Sequence, residues 1–71
     1  MAQDRLEAIR NELEAMIDKD SVVTVIEMLA DVCYLKAEHV QSNWQDKALA
    51  KAWEKTAKAL LKVSDKDFLP Y

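Results

Sequence analysis

The 71-residue chain contains no glycine, and this absence restricts both its fold and its chemistry. Phosphate-binding loops, dinucleotide-binding turns, nucleophile elbows and calcium-binding loops need glycine, either for positive φ or for close approach of the backbone to a ligand. Tight β-hairpin turns also depend on glycine, usually after asparagine or aspartate. The sequence therefore excludes the usual forms of these sites and disfavours an all-β fold.

Length and cysteine content restrict the chain further. Cys33 is its only cysteine, so neither an internal disulfide nor a cysteine–histidine zinc cluster can form. A chain of this size buries only roughly 60% of its unfolded surface on folding, which leaves little room for a deep substrate cleft. We therefore expect a single domain over residues 1–71 that is not an enzyme, binds no metal or other cofactor, and gains stability from self-association.

No targeting or membrane segment is apparent. Acids and arginines interrupt residues 1–10, so the apolar stretch of a signal peptide is missing. The most apolar stretch, residues 22–35, contains Glu27 and Asp31 and is shorter than the ~20 residues that span a bilayer. The sequence predicts a cytoplasmic protein without membrane contact.

Two amphipathic patterns predict the first two helices. At about 100° per residue, one narrow face of residues 3–18 collects Leu6, Ile9, Leu13, Met16 and Ile17. Asp20 or Ser21 is the predicted N-cap of a second helix over residues 21–41. Its apolar arc covers roughly 200°, with Leu29 and Val32 near the middle, so it is predicted to be the central core helix. A β-strand over the β-branched residues 22–26 is the alternative, but no partner strand exists in the chain.

A third helix is predicted over residues 43–63. Ser42 as N-cap and Gln45 three residues later match a capping box, and Leu49, Trp53 and Leu60 share the apolar face. Trp44 is predicted to be exposed. One continuous helix over residues 22–63 is the alternative, but its two apolar faces would point about 140° apart at 3.6 residues per turn.

The tail, residues 64–71, ends the third helix, since serine and aspartates precede Pro70. Its last residues, Phe68, Leu69, Pro70 and Tyr71, form either a lid over the open end of the core or a linear motif for another protein, and we expect the lid.

These elements predict an all-α, small antiparallel three-helix bundle that dimerises through its central helix. The apolar arc of that helix exceeds what two neighbours cover, so a surplus is predicted on one of two flanks. One flank carries Met28, Val32, Leu35 and His39, and the opposite flank carries Val22, Ile26 and Cys33. The leading functional hypothesis is a non-catalytic, self-associating helical interaction module. Its partner is a second copy, which gives a homodimer, or another protein.

The distribution of charged residues suggests an alternative function. Through Glu38 the chain has nine acids against four basic residues, whereas from His39 onward it has six lysines against four acids. Five of these lysines form the lysine stripe of the third helix, the basis of the alternative hypothesis of a small nucleic-acid-associated or regulatory protein: Lys47, Lys51, Lys55, Lys58 and Lys62. The net charge of −3 and the absence of arginine from this stripe argue against nucleic acid.

The remaining polar groups of the second helix are predicted to serve structural roles. Glu27, Asp31, Tyr34 and Glu38 share one face, which we expect to be a solvated acidic surface rather than a metal or acid–base site, because the spacing of His39 does not fit a carboxylate–histidine metal motif. Cys33 is expected to be a buried, inert thiol. Helical periodicity places Lys36 in the middle of the apolar arc and His39 about 60° from it. We expect both to be end-of-helix groups, and the alternative is a polar edge where a partner or an anion meets the helix.

Overall fold

The computed structural model describes residues 2–70 as three α-helices joined by short connections. α1 spans Ala2–Asp20, α2 spans Val22–Trp44 and α3 spans Lys47–Ser64. No strand occurs within these residues, and the β-branched run at the start of α2 is helical. The predictions of an all-α fold and of three helices are confirmed.

A single residue, Ser21, joins α1 to α2. Its φ of 81° and ψ of 155° lie in a region that residues other than glycine rarely occupy. The Ser21 Oγ accepts a hydrogen bond from the Thr24 backbone N–H at 3.3 Å, so Ser21 is the N-cap, one of the two residues predicted for that role. The Ser21 N–H in turn donates to the Ile17 carbonyl at 2.8 Å, which ties the joint to the last turn of α1.

The joint between α2 and α3 lies later than predicted. α2 continues through Ser42 to Trp44, and Gln45 reverses the chain with a left-handed φ of 53°. Asp46 is the N-cap of α3, because its Oδ1 accepts the Leu49 backbone N–H at 3.0 Å. The prediction of Ser42 as N-cap in a capping box is wrong, since a carboxylate four residues later satisfies the free amides of α3 instead.

α2 and α3 form an antiparallel helical hairpin across this short loop. Its core is built around Ala30 and Ala57, both 0% exposed, together with Cys33. Trp53, Leu60 and Leu61 are half-buried against these residues. Small side chains at the contact allow the two helix axes to approach closely. The predictions of a buried Cys33, a core-facing Trp53 and an exposed Trp44 are confirmed.

α1 contacts α2 only. Among residues 2–70, no Cα atom of α1 lies within 8 Å of one in α3. The predicted antiparallel three-helix bundle is therefore confirmed only as three helices that pack in two pairs, α1 with α2 and α2 with α3, without a core shared by all three. Antiparallel neighbours in bundles use connections of about 2–8 residues, and the one-residue joint at Ser21 is too short to fold α1 back along the hairpin.

The open arrangement also changes the role of α2. Leu29 and Val32, predicted at the centre of the core, are each 49% exposed, because the buried face of α2 is the adjacent one that carries Ala30, Cys33 and Ala37. The molecule is flat, with extents of 37 × 37 × 15 Å. Its radius of gyration is 14.3 Å, against about 11 Å for a compact domain of this length.

The tail leaves α3 through turns in which the Lys66 N–H donates to the Val63 carbonyl at 3.1 Å. The predicted lid is not formed by Phe68, which is 77% exposed, while Leu69 is half-buried. Tyr71, part of the same prediction, lies outside the described residues.

Candidate functional site

An open apolar groove lies between α1 and α2 and is the candidate functional site. We call it the α1–α2 groove. It has a volume of about 280 Å³ and is lined almost wholly by apolar atoms. Its lining residues, three from α1 and five from α2, are Leu13, Met16, Asp20, Thr24, Val25, Met28, Leu29 and Val32.

The joint at Ser21 produces the groove. A straight helix through residues 2–44 would point the apolar face of α1 about 100° away from that of Met28 and Val32 at 3.6 residues per turn. The change of direction at Ser21 brings both faces to the same side of the molecule. The break and the groove therefore have one local cause, a capped but non-helical serine between two amphipathic segments.

The apolar side chains on this side of the molecule remain open to solvent. On α1, Leu6 is 59% exposed and Ile17, next to the joint, is 37% exposed. On α2 the open face continues past the groove to Leu35, which is 63% exposed. Isolated exposed apolar residues are ordinary on protein surfaces, but a contiguous set is typical of an interface.

The two flanks predicted as possible interfaces have different surroundings. Met28, Val32, Leu35 and His39 are exposed, and the first two line the α1–α2 groove. The other flank lies toward α3: Val22 and Ile26 are half-buried, and Cys33 is in the hairpin core. Only the first flank is open to another molecule.

Sequence reasoning missed the contribution of α1 to this site. Leu13 and Met16 were predicted to lie in the core of a bundle, whereas they form one wall of the groove. The amphipathic pattern of α1 marks both residues as members of its apolar face. The same pattern occurs whether that face is covered by the rest of the chain or by a second chain, so it could not identify a groove.

The polar edge of the open face lies near the end of α2. Lys36 and His39 lie beside Val32 and Leu35 in one shallow depression. The Asn43 side-chain amide donates to the His39 ring at 3.0 Å from Nδ2 to Nδ1, an interaction within one turn of α2. Both groups are exposed, so they border the apolar surface without interrupting it.

Within the described residues, the acidic face of α2 and the lysine stripe of α3 are exposed surfaces and not metal-binding clusters. Glu27, Asp31, Tyr34 and Glu38 are all exposed. Within residues 2–70, no group of three or more histidine, cysteine, aspartate or glutamate side chains is placed to hold a metal ion. The lysine stripe is exposed along its whole length on α3.

No family model, curated protein or solved structure matches the chain. Among the described helices, none combines the length and the apolar character needed to cross a bilayer.

Proposed function

We propose that this chain is a small, non-catalytic helical interaction module that self-associates through the open apolar surface of α1 and α2. The observation that carries this proposal is the excess surface of the single chain. Its accessible area is 6042 Å², against about 4,500 Å² for a compact monomer of 8.1 kDa. A compact monomer would bury this excess of about 1,500 Å² itself, and we assign its burial here to a partner.

The size of this excess surface area favours a second copy of the chain as the partner. Covering it on two protomers would bury about 3,000 Å² in total, within the range of ~2,000–5,000 Å² typical of obligate homodimers. The exposed side chains are also of the right type, because homodimer interfaces are more apolar than the rest of a protein surface and are enriched in methionine. A two-fold dimer would cover the surface on both chains without leaving a free end for further growth.

Sedimentation equilibrium in the micromolar range tests the proposal. We expect a mass of twice 8.1 kDa, and a monomer at every concentration would reject self-association. Val32→Asp should raise the dimer dissociation constant at least about tenfold, because a carboxylate buried against apolar side chains costs more than ~1.4 kcal/mol. Gln41→Asp is the matched control, with the same charge change on the side of α2 that faces Lys47 and Lys51. Equal effects of the two variants would place the interface elsewhere.

Nucleic-acid association is the second candidate function, favoured by the full exposure of the lysine stripe. Replacing Lys47, Lys51, Lys58 and Lys62 together by glutamine should leave the helical circular-dichroism signal unchanged, since exposed charges contribute little to stability. Retardation of DNA or RNA at low salt by the wild-type protein but not by this variant would replace self-association with nucleic-acid binding as the leading function. We expect no retardation by either.

A further inference from the structure

Within residues 2–70, the half of α1 that lies farthest from Ser21 leaves its apolar side chains exposed. α1 contributes Leu13, Met16 and Asp20 to the α1–α2 groove, whereas Leu6, farther from the joint, is 59% exposed. In proteins, most of the stability of an amphipathic helix comes from packing of its apolar face rather than from helix propensity. The N-terminal half of α1 therefore needs an apolar surface from another molecule.

The second half of α2 likewise exposes apolar side chains. The α1–α2 groove extends along α2 as far as Val32, and beyond it Leu35 is 63% exposed, more than the other large aliphatic side chains of α2. Both open faces thus lie beyond the groove on the side away from Ser21, one on each wall. Neither face can cover the other within one chain, because α1 and α2 are fixed together at Ser21.

From these two exposed apolar faces, and on the basis of the self-association proposed above, we infer that the α1–α2 groove of each protomer is filled by α1 of a second copy. The α1 stripe at spacings of three and four residues (Leu6, Ile9, Leu13, Met16) is the pattern with which an amphipathic helix occupies an apolar groove. α1 and α2 of both copies then enclose one shared core, and each hairpin places α3 on the outside. The N-terminal half of α1 lies against Leu35 of the other copy.

Charge and shape support a second copy as the occupant. α1 carries six acids against three basic residues, while Lys36, the only lysine or arginine of α2, lies beside Leu35 at the edge where the incoming α1 would end. Asp4 and Glu7, next to Leu6 in sequence, would meet that ammonium group. Two copies stacked along the 15 Å axis would form a particle about 30 Å thick, close to the diameter of a small domain.

Cross-linking between different chains tests the arrangement. In a Cys33→Ala background, Leu6→Cys protein is mixed with Leu35→Cys protein and oxidised, so that a heterologous disulfide requires contact between two copies. We expect a disulfide-linked dimer from this mixture. The control mixture of Leu6→Cys with Lys55→Cys, on the outer face of α3, should give none.

Sedimentation of the same mixtures separates this inference from the broader proposal. A dimer that shows no link between positions 6 and 35 would overturn the exchange of α1 and leave self-association standing. A monomer would overturn both. In the unmodified background, Leu6→Asp should raise the dimer dissociation constant at least about tenfold, whereas Asn11→Asp, with the same charge change on the polar face of α1, should change it by less than about twofold. Equal effects of these two variants would also overturn the exchange.

Discussion

Replacement of Ala57 by leucine tests the close contact between α2 and α3. Ala57 and Ala30 are both 0% exposed at the centre of the hairpin, so no adjacent space can accept the larger side chain. Overpacking of a filled core costs about 1–3 kcal/mol, and this fully enclosed site should lie near the upper end. A chain of 71 residues has a total stability of about 4–10 kcal/mol, so Ala57→Leu should remove about 30% of it or more.

Urea unfolding followed by far-ultraviolet circular dichroism measures this loss, at one fixed protein concentration because association also contributes to stability. Ala59→Leu is the matched control, since it makes the same change two residues later at an exposed position of α3. We expect the control to change the free energy of unfolding by less than about 0.5 kcal/mol. Ala57→Leu with a loss no larger than that of Ala59→Leu would show that the two helices are not in close contact at this point.

Two further pairs of substitutions test the joints between helices. Asp46→Ala should cost about 0.5–2 kcal/mol in urea unfolding through loss of the α3 cap, whereas Ser42→Ala should cost less than about 0.5 kcal/mol; the reverse order would restore the capping box predicted from sequence. Ser21→Gly should raise stability by about 1 kcal/mol, because relief of a backbone strain of ~1–3 kcal/mol outweighs the small loss of the capping hydroxyl. Ser21→Ala keeps the strain and loses the cap, so it should destabilise the protein, and a Ser21→Gly variant that is equally unstable would contradict the strained joint.

The local structure of this chain is largely predictable from its residues. Apolar spacing near 3.6 residues identified all three helices, and the absence of glycine excluded hairpin-based folds. Ser21 was among the predicted caps because serine side chains accept amide hydrogen bonds at helix starts. The end of α2 was placed too early, since Ser42 and Asp46 both suit an N-cap and only the observed loop decides between them.

The candidate site was predictable in part. The 200° apolar arc of α2 indicated surplus apolar surface, and the flank with Met28, Val32 and Leu35 is open to solvent. The sequence left open which of the two flanks would be free. That choice depends on which face packs against α3, where Ala30, Ala37 and Ala57 allow a closer approach than the larger side chains of the other face.

The sequence alone therefore determined the helices, their apolar faces and the uneven distribution of charge, because these depend on residues close together in the chain. Only the tertiary structure decided that α1 stays apart from α3 and that its apolar face forms a groove with α2. The physical reason is the one-residue joint at Ser21, whose backbone angles direct α1 away from the hairpin. Helical periodicity records which side of a helix is apolar, but the direction in which one helix leaves another depends on two dihedral angles that no periodic pattern encodes.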